Sequence, residues 1–251
     1  MLGVVPTPSF VSDAVAARLR LFLDRMRGES ADYGADAEGL IDSAADTLVG
    51  GKRLRARFCH AGWQAVARFG DRDAEESAAL WDVCAALEIF QSAALVHDDL
   101  IDNSDTRRGR PAAHRALESA HVGAGWRGDP AAFGRSSAIL LGDLLVAWSD
   151  DLLEDAIEPL PHAAAVRREY GRMRRDVTVG QFLDIAEESA WSVHATDSHV
   201  ERALRVVSFK SARYSIEQPL VLGAAIADAD DDQLLACLLY TSDAADDSLR
   251  V

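Results

Sequence analysis

The sequence predicts an all-α fold, and three observations carry that reading. Ala, Leu, Arg, Glu and Asp dominate the chain, β-branched runs are rare, and only seven prolines occur in 251 residues. The first group loses little freedom in a helix, whereas proline breaks one. Hydrophobic residues make up 49% and charged residues 27%, an ordinary globular balance. The length allows one sizeable domain with a full core.

The first helix lies in PSFVSDAVAARLRLFLDRMRG (8–28). Ser9 or Ser12 is its expected cap, positions 15, 19, 22, 23 and 26 form its buried face, and Gly28 stops it. A second, short helix is expected at about 36–48, ending at Gly50 and Gly51, and a third at roughly 53–69, ending at Gly70. From Ala74 to about Asn103 there is neither glycine nor proline, and ALWDVCAALEIFQSAALVHDDLID is apolar on most of its circumference. Such a helix is buried among others. NSDTRRGR then makes a turn, Pro111 opens the next helical stretch, and residues 121–134 are the longest break. Further helices are expected at about 131–155, 162–190, 195–214 and 216–227.

Composition also excludes functions. A formal net charge of −15 argues against nucleic acid as partner, because a phosphate backbone needs a positive surface. No apolar run reaches membrane-spanning length, and MLGVVPTPSFVSDAV lacks the pattern of a signal peptide. Cys59, Cys84 and Cys237 are too few and scattered for a disulfide framework or zinc site. A cytoplasmic location is expected.

Against that acidic balance stand two basic clusters, GGKRLRAR (50–57) and TRRGR (106–110). The second follows Asp98, Asp99 and Asp102 at the end of the fourth helix. On a helix these three carboxylates fall within an arc of about 100°. Like charges so placed repel, and a divalent cation removes the repulsion. Oxygen ligands without Cys or paired His favour Mg²⁺, which prefers one or two carboxylates plus substrate phosphates. An acidic helix end in solvent is the plain alternative. An HD-type metal phosphohydrolase is another, but His60, His114, His121 and His162 stand in no supporting context. GGKRLR is not a P-loop, since Asp46 stands where the first glycine belongs and Arg53 where Ser or Thr belongs.

Four separated motifs together resemble the trans-isoprenyl diphosphate synthases. They are GGKRLR (50–55), DDLID with RRG (98–102, 107–109), GQFLDI (180–185) and FKSARYS (209–215), and the resemblance spans roughly residues 10–236. It implies a helical bundle around a central cavity, usually a homodimer, that condenses an allylic diphosphate with isopentenyl diphosphate. Lys52, Arg55, Gln91 and Arg108 are then expected to hold the isopentenyl diphosphate, and Arg107 and Lys210 the allylic one. Asp98, Asp99, Asp102 and Asp184 become Mg²⁺ ligands. Gln181 neighbours the allylic substrate, Ser211 faces the reacting carbons in place of the family's threonine, and Tyr214 supports them. Small Ala93 and Ala94, one turn before the aspartates, leave the chain pocket open. Phe90, roughly 12 Å down the helix from Asp98, is its expected floor, which favours a geranylgeranyl product.

The sequence also departs from the family. Its second aspartate-rich motif, FQxxDD, does not follow EQPLVLGAA at the usual distance, and DADDD (228–232) resembles the loop before that helix. CLLYTSDAADD (237–247) matches one reading frame of a transposon-end sequencing adapter. Residues 1–236 are therefore expected to be a synthase domain incomplete at its C-terminus and inactive as it stands, and 237–251 an artefactual tail. A natural acidic tail is the alternative. A non-catalytic partner subunit and a class I terpene cyclase are the rival functions. The intact aspartates oppose the first, and Lys52, Arg55 and Arg108 the second.

Overall fold

A computed structural model describes residues 8–67 and 74–236, and the side chains of 10–67 and 78–236. It is all-α apart from one two-stranded hairpin among the described residues. Cys237 and the expected tail at 237–251 lie outside them, as does Gly70. The chain divides into two compact units: residues 8–53 with Trp81–Asp155, and residues 54–67 and 74–80 with 156–236.

The first unit begins with α1 (Pro8–Glu29). Its predicted face is the one buried: Val15, Leu19, Phe22, Leu23 and Met26 are all core. Ser9 and Ser12 lie inside the helix, not before it, so neither is its cap. α2 (Ala35–Thr47) follows a short 3₁₀ turn. α4 (Ala74–Ile101) is buried around its whole girth from Val83 to Ile89, as its composition requires. It stops in a Schellman arrangement: Asn103 takes a left-handed φ of 51°, and the Ser104 amide donates to the Asp99 carbonyl at 2.8 Å.

The arginine-rich turn is a β-hairpin, which the sequence did not announce. β1 (Thr106–Arg107) and β2 (Arg110–Pro111) pair antiparallel, Thr106 opposite Pro111. Arg108 and Gly109, both at positive φ (54° and 75°), make a two-residue turn whose twist matches the strands. Pro111 therefore closes a strand instead of opening a helix, and α5 (Ala113–Gly123) starts two residues later. The loop to α6 (Pro130–Ile157) is shorter than expected because α5 runs on to Gly123.

Membrane-spanning length was also misjudged. Ala78–Ile101 and Pro130–Ile157 are both long and apolar enough to cross a bilayer, because single charges such as Asp82 and Asp143 interrupt them too sparsely. In the first, 72% of the most apolar window is buried, which marks a core helix; in α6 only 33% is, and Ile139 and Leu140 face outward.

α5 carries a pH-sensitive contact. His114 is buried, and neither ring nitrogen has a hydrogen-bond partner among the described residues. Burial, helped by Arg115, pulls its pKa below the ordinary imidazole value against the opposing pull of Asp99, Asp105 and Glu118. The folded chain thus binds this proton less readily than the unfolded chain. Its stabilising effect is complete above about pH 6.5 and is lost as pH falls below that value. The His114→Leu variant should accordingly show a shallower fall in Tm between pH 7.5 and 5; identical slopes would contradict this.

The second unit contains α3 (Leu54–Ala67), α7 (Ala163–Ala190), α8 (His199–Val206) and α9 (Gln218–Ile226). The break expected near residue 215 is absent. An eleven-residue π-helical segment, Val207–Glu217, joins α8 to α9 without interruption. At its end Pro219 has no amide to donate one turn back, and the Gln218 amide reaches Arg213, five residues behind. His162, one of the four histidines weighed above, bonds the Ile226 carbonyl at 2.9 Å.

Candidate active site

In the first unit the aspartates occupy the last turn of α4, the negative end of the helix dipole, with no basic residue in that turn. Cationic help comes from the hairpin. The Arg107 guanidinium donates through Nε to both oxygens of Asp99 (2.9 and 3.1 Å) and through Nη2 to Asp98 at 3.4 Å, with a further short contact to Asp99. Asp99 is buried, Asp98 half-buried and Asp102 exposed. The hydrogen bond to Asp99 holds the Arg107 pKa above its ordinary value. Two carboxylates therefore converge on one cationic atom, and the third adds its charge to the same guanidinium from farther off.

No group of three His, Cys, Asp or Glu side chains among the described residues is placed to hold a metal ion. Of the expected ligands Asp98, Asp99 and Asp102, the first two share the Arg107 guanidinium. Asp102 continues the turn, its amide donating to the Asp98 carbonyl at 2.8 Å, but its side chain is exposed. Two carboxylates sharing one cation position nevertheless fit Mg²⁺, which takes one or two carboxylates and fills its remaining sites with water and phosphate oxygens.

The hairpin turn also separates the two arginines. Arg107 turns to the aspartates, whereas Arg108 turns to the loop after α2, its Nη1 donating to the Val49 carbonyl at 3.3 Å. Gly51, at φ 92°, makes room for it: a Cβ there would lie 3.0 Å from the guanidinium. Lys52 is exposed beside it and Gln91 half-buried. A cleft of about 170 Å³ opens between these parts, with Ser92, Leu95, Asp99, Arg107, Arg108 and Arg110 in its wall. Ala93 and Phe90 are buried, and only Ala94 retains partial exposure. The chain pocket expected along Ala93 therefore does not open at that residue.

In the second unit α7 brings Asp184 to Lys210, whose Nζ donates to it. Gly180 permits this, since a Cβ there would lie 2.4 Å from the Lys210 amide nitrogen. The glycine of GQFLDI is thus a close-approach residue. Gln181 is half-buried and Ser211 exposed. Arg55 lies with its guanidinium 4.0 Å from the centre of the Tyr214 ring, and its Nη2 donates to Ser215 Oγ at 2.9 Å. Tyr214 is therefore a platform for Arg55, a contact the sequence did not reveal.

Sequence reasoning also missed a buried ion pair. Arg53 Nη1 lies 3.1 Å from Glu88 Oε2, with both side chains almost fully enclosed. A signal existed, because Glu88 is the one formal charge between Asp82 and Asp98 in an apolar helix.

Comparison with known proteins gives a consistent picture. A crystal structure of geranylgeranyl pyrophosphate synthase from Corynebacterium glutamicum, complexed with isoprenyl diphosphate and magnesium, superposes with a TM-score of 0.85 at 37% identity. It covers 94% of this chain, which covers 65% of it. The large subunit 1 of the heterodimeric geranylgeranyl pyrophosphate synthase of Arabidopsis thaliana is 29% identical over 199 residues, 74% of this chain and 45% of the relative. Component 2 of heptaprenyl diphosphate synthase from Geobacillus stearothermophilus is 39% identical over 103 residues, 41% of this chain and 28% of its own length. The chain spans less than half the length of these two curated relatives. The family pattern described as polyprenyl synthetase matches residues 38–244, from α2 through every motif discussed above. The chain belongs to the polyprenyl synthetase family.

Proposed function

We propose that this chain carries the machinery of a Mg²⁺-dependent trans-prenyltransferase, which joins isopentenyl diphosphate to an allylic diphosphate. The observation that carries the reading is the convergence of Asp98 and Asp99 on Arg107 at the negative end of α4, with Arg108 turned to the Lys52 loop. One hairpin thus serves two anion-binding regions. The relative from Corynebacterium glutamicum, crystallised with isoprenyl diphosphate and magnesium, supports the substrate class and the metal.

Asp98 and Asp99, with Asp102 as the outer member, are the proposed metal holders in the first unit, and Asp184 in the second. Mg²⁺ held by these carboxylates would supply positive charge to a diphosphate leaving group. Arg107 adds a planar fork of donors suited to phosphate oxygens, and Lys210 adds a point charge. The allylic C–O bond then ionises, its electron pair leaving with pyrophosphate. Ser211 and the Lys210 carbonyl direct their dipoles at the resulting cation, with Gln181 beside it. Lys52, Arg55, Arg108 and Gln91 hold isopentenyl diphosphate, whose double bond attacks the cation. A proton passes to the departing pyrophosphate, and the chain is longer by one five-carbon unit.

A geranylgeranyl-class product is proposed on Ala94, which lies one turn before Asp98 and is the alanine left partly open. In the enzyme extended to the length of its relatives, the Ala94→Tyr variant should yield a product shorter by at least one unit, read by chromatography of dephosphorylated products. An unchanged distribution would contradict the assignment. A second copy of the chain is the proposed partner for the outward Ile139 and Leu140 of α6. The chain as it stands is proposed to be inactive, so the function itself is tested on a form extended to the length of its relatives, incubated with geranyl diphosphate and labelled isopentenyl diphosphate. Chain elongation that needs Mg²⁺ is expected, and elongation insensitive to EDTA would overturn the reading.

A further inference from the structure

Within GGKRLR, the sequence points to Lys52 and Arg55 as anion ligands and leaves Arg53 without a role. Arg53 does not face solvent. Its Nη1 pairs with Glu88 Oε2 at 3.1 Å, and its Nη2 donates to the Leu48 carbonyl, at the start of its own loop. Relative side-chain exposures of 9% and 6% show that the pair is sealed. The Arg53 backbone also takes a left-handed φ of 50°, a conformation that ordinary residues adopt at a cost and keep only where their surroundings impose it.

Neither feature is explained by stability. A sealed ion pair gives up hydration to roughly the extent that it gains attraction, and apolar residues of similar volume often serve the fold as well or better. What the pair does provide is position. Arg53 ties both ends of the loop 48–53 to α4, and the loop between them holds two glycines at φ 78° and 92°. The neighbouring Val49 carbonyl accepts from Arg108, and Gly51 packs beneath its guanidinium. Lys52 is carried on the same span.

We infer that Arg53 and Glu88 are positioning residues, a buried strut that fixes the Lys52 loop and its Arg108 contact for binding the diphosphate of isopentenyl diphosphate. This rests on the reading of Lys52 and Arg108 as ligands of that diphosphate.

The test is a double variant, Arg53→Met with Glu88→Leu, which removes both charges together and leaves neither unpaired. Its thermal unfolding is measured beside calorimetric binding of isopentenyl diphosphate and, separately, of geranyl diphosphate with Mg²⁺. The expected result is a Tm equal to or above that of the wild type, at least tenfold weaker binding of isopentenyl diphosphate, and unchanged binding of geranyl diphosphate. Unchanged isopentenyl diphosphate affinity, or equal loss for both ligands, would overturn the strut. If the double variant does not fold, Arg53→Lys decides: it keeps the charge but loses the forked reach to Leu48, and affinity equal to wild type rules the strut out. Failure of the wild-type chain to bind isopentenyl diphosphate at all overturns the ligand reading itself, and the strut with it.

Discussion

In the enzyme extended to the length of its relatives, replacing Asp98 by alanine should abolish Mg²⁺-dependent condensation while leaving the fold intact. The expected loss in kcat is at least about 10³-fold, or about 4 kcal/mol of transition-state stabilisation. Asp98 and Asp99 share the Arg107 guanidinium, but unequally: Asp99 is buried and multiply bonded to it, whereas Asp98 is partly open and meets it at the longer distance of 3.4 Å. Truncating Asp98 therefore leaves the structural pair standing. It also removes a negative charge from the negative end of α4, which on its own slightly stabilises the helix. A Tm equal to or marginally above that of the wild type should accompany the lost activity. Turnover near the wild-type rate would remove Asp98 from the metal-holding set.

The largest effect on stability is expected at Gly223, where α9 presses on α3. A Cβ at this position would lie 1.8 Å from the Cys59 carbonyl oxygen, and one at Gly62 would lie 2.0 Å from the Leu220 carbonyl oxygen. Two glycines on facing helices thus let backbone meet backbone, and no side chain is available to yield. The Gly223→Ala variant should lose at least about 3 kcal/mol, a fall in Tm of about 6–12 °C for a chain of this size. Gly39 is the contrasting case, since it is exposed within α2 with nothing near its Cβ direction. There the same substitution should stabilise by about 0.5–1 kcal/mol through helix propensity alone. Similar shifts at both positions in thermal unfolding would refute the packing argument.

What could be read beforehand follows from which forces are local. The buried face of α1 at Val15, Leu19, Phe22, Leu23 and Met26 was legible because helical periodicity is written in the sequence. The girth of α4 was legible because it is apolar throughout. The hairpin at 106–111 was hidden: Pro111 has a fixed φ that suits a helix start and a strand end alike, and two-residue strands have no periodicity to detect. The π-helical segment was hidden too, since Pro219 reads as an ordinary helix opener until the unbroken chain before it is seen.

The candidate site divides in the same way. Residue types and order pointed to Asp98, Asp99, Arg107, Asp184 and Lys210, but not to which carboxylate meets which cation. The Arg107 and Lys210 pairings depend on a turn and on a glycine contact, both of them tertiary. Tyr214 was expected beside Lys210 and proved to be a platform for Arg55. Ala93 looked like an open wall because alanine is small, yet smallness serves close packing equally well, and the residue is fully buried. Glu88 was the missed clue, a lone carboxylate in an apolar run that needed a partner.

The most direct test of the whole account is calorimetric titration of the wild-type chain with a thiolo analogue of geranyl diphosphate, which resists ionisation, in Mg²⁺ and again in EDTA. Saturable binding in Mg²⁺ that disappears in EDTA, and is absent from the Asp98→Ala variant in either condition, is the predicted result. Binding of equal strength with and without the metal, or undiminished in the variant, would contradict it.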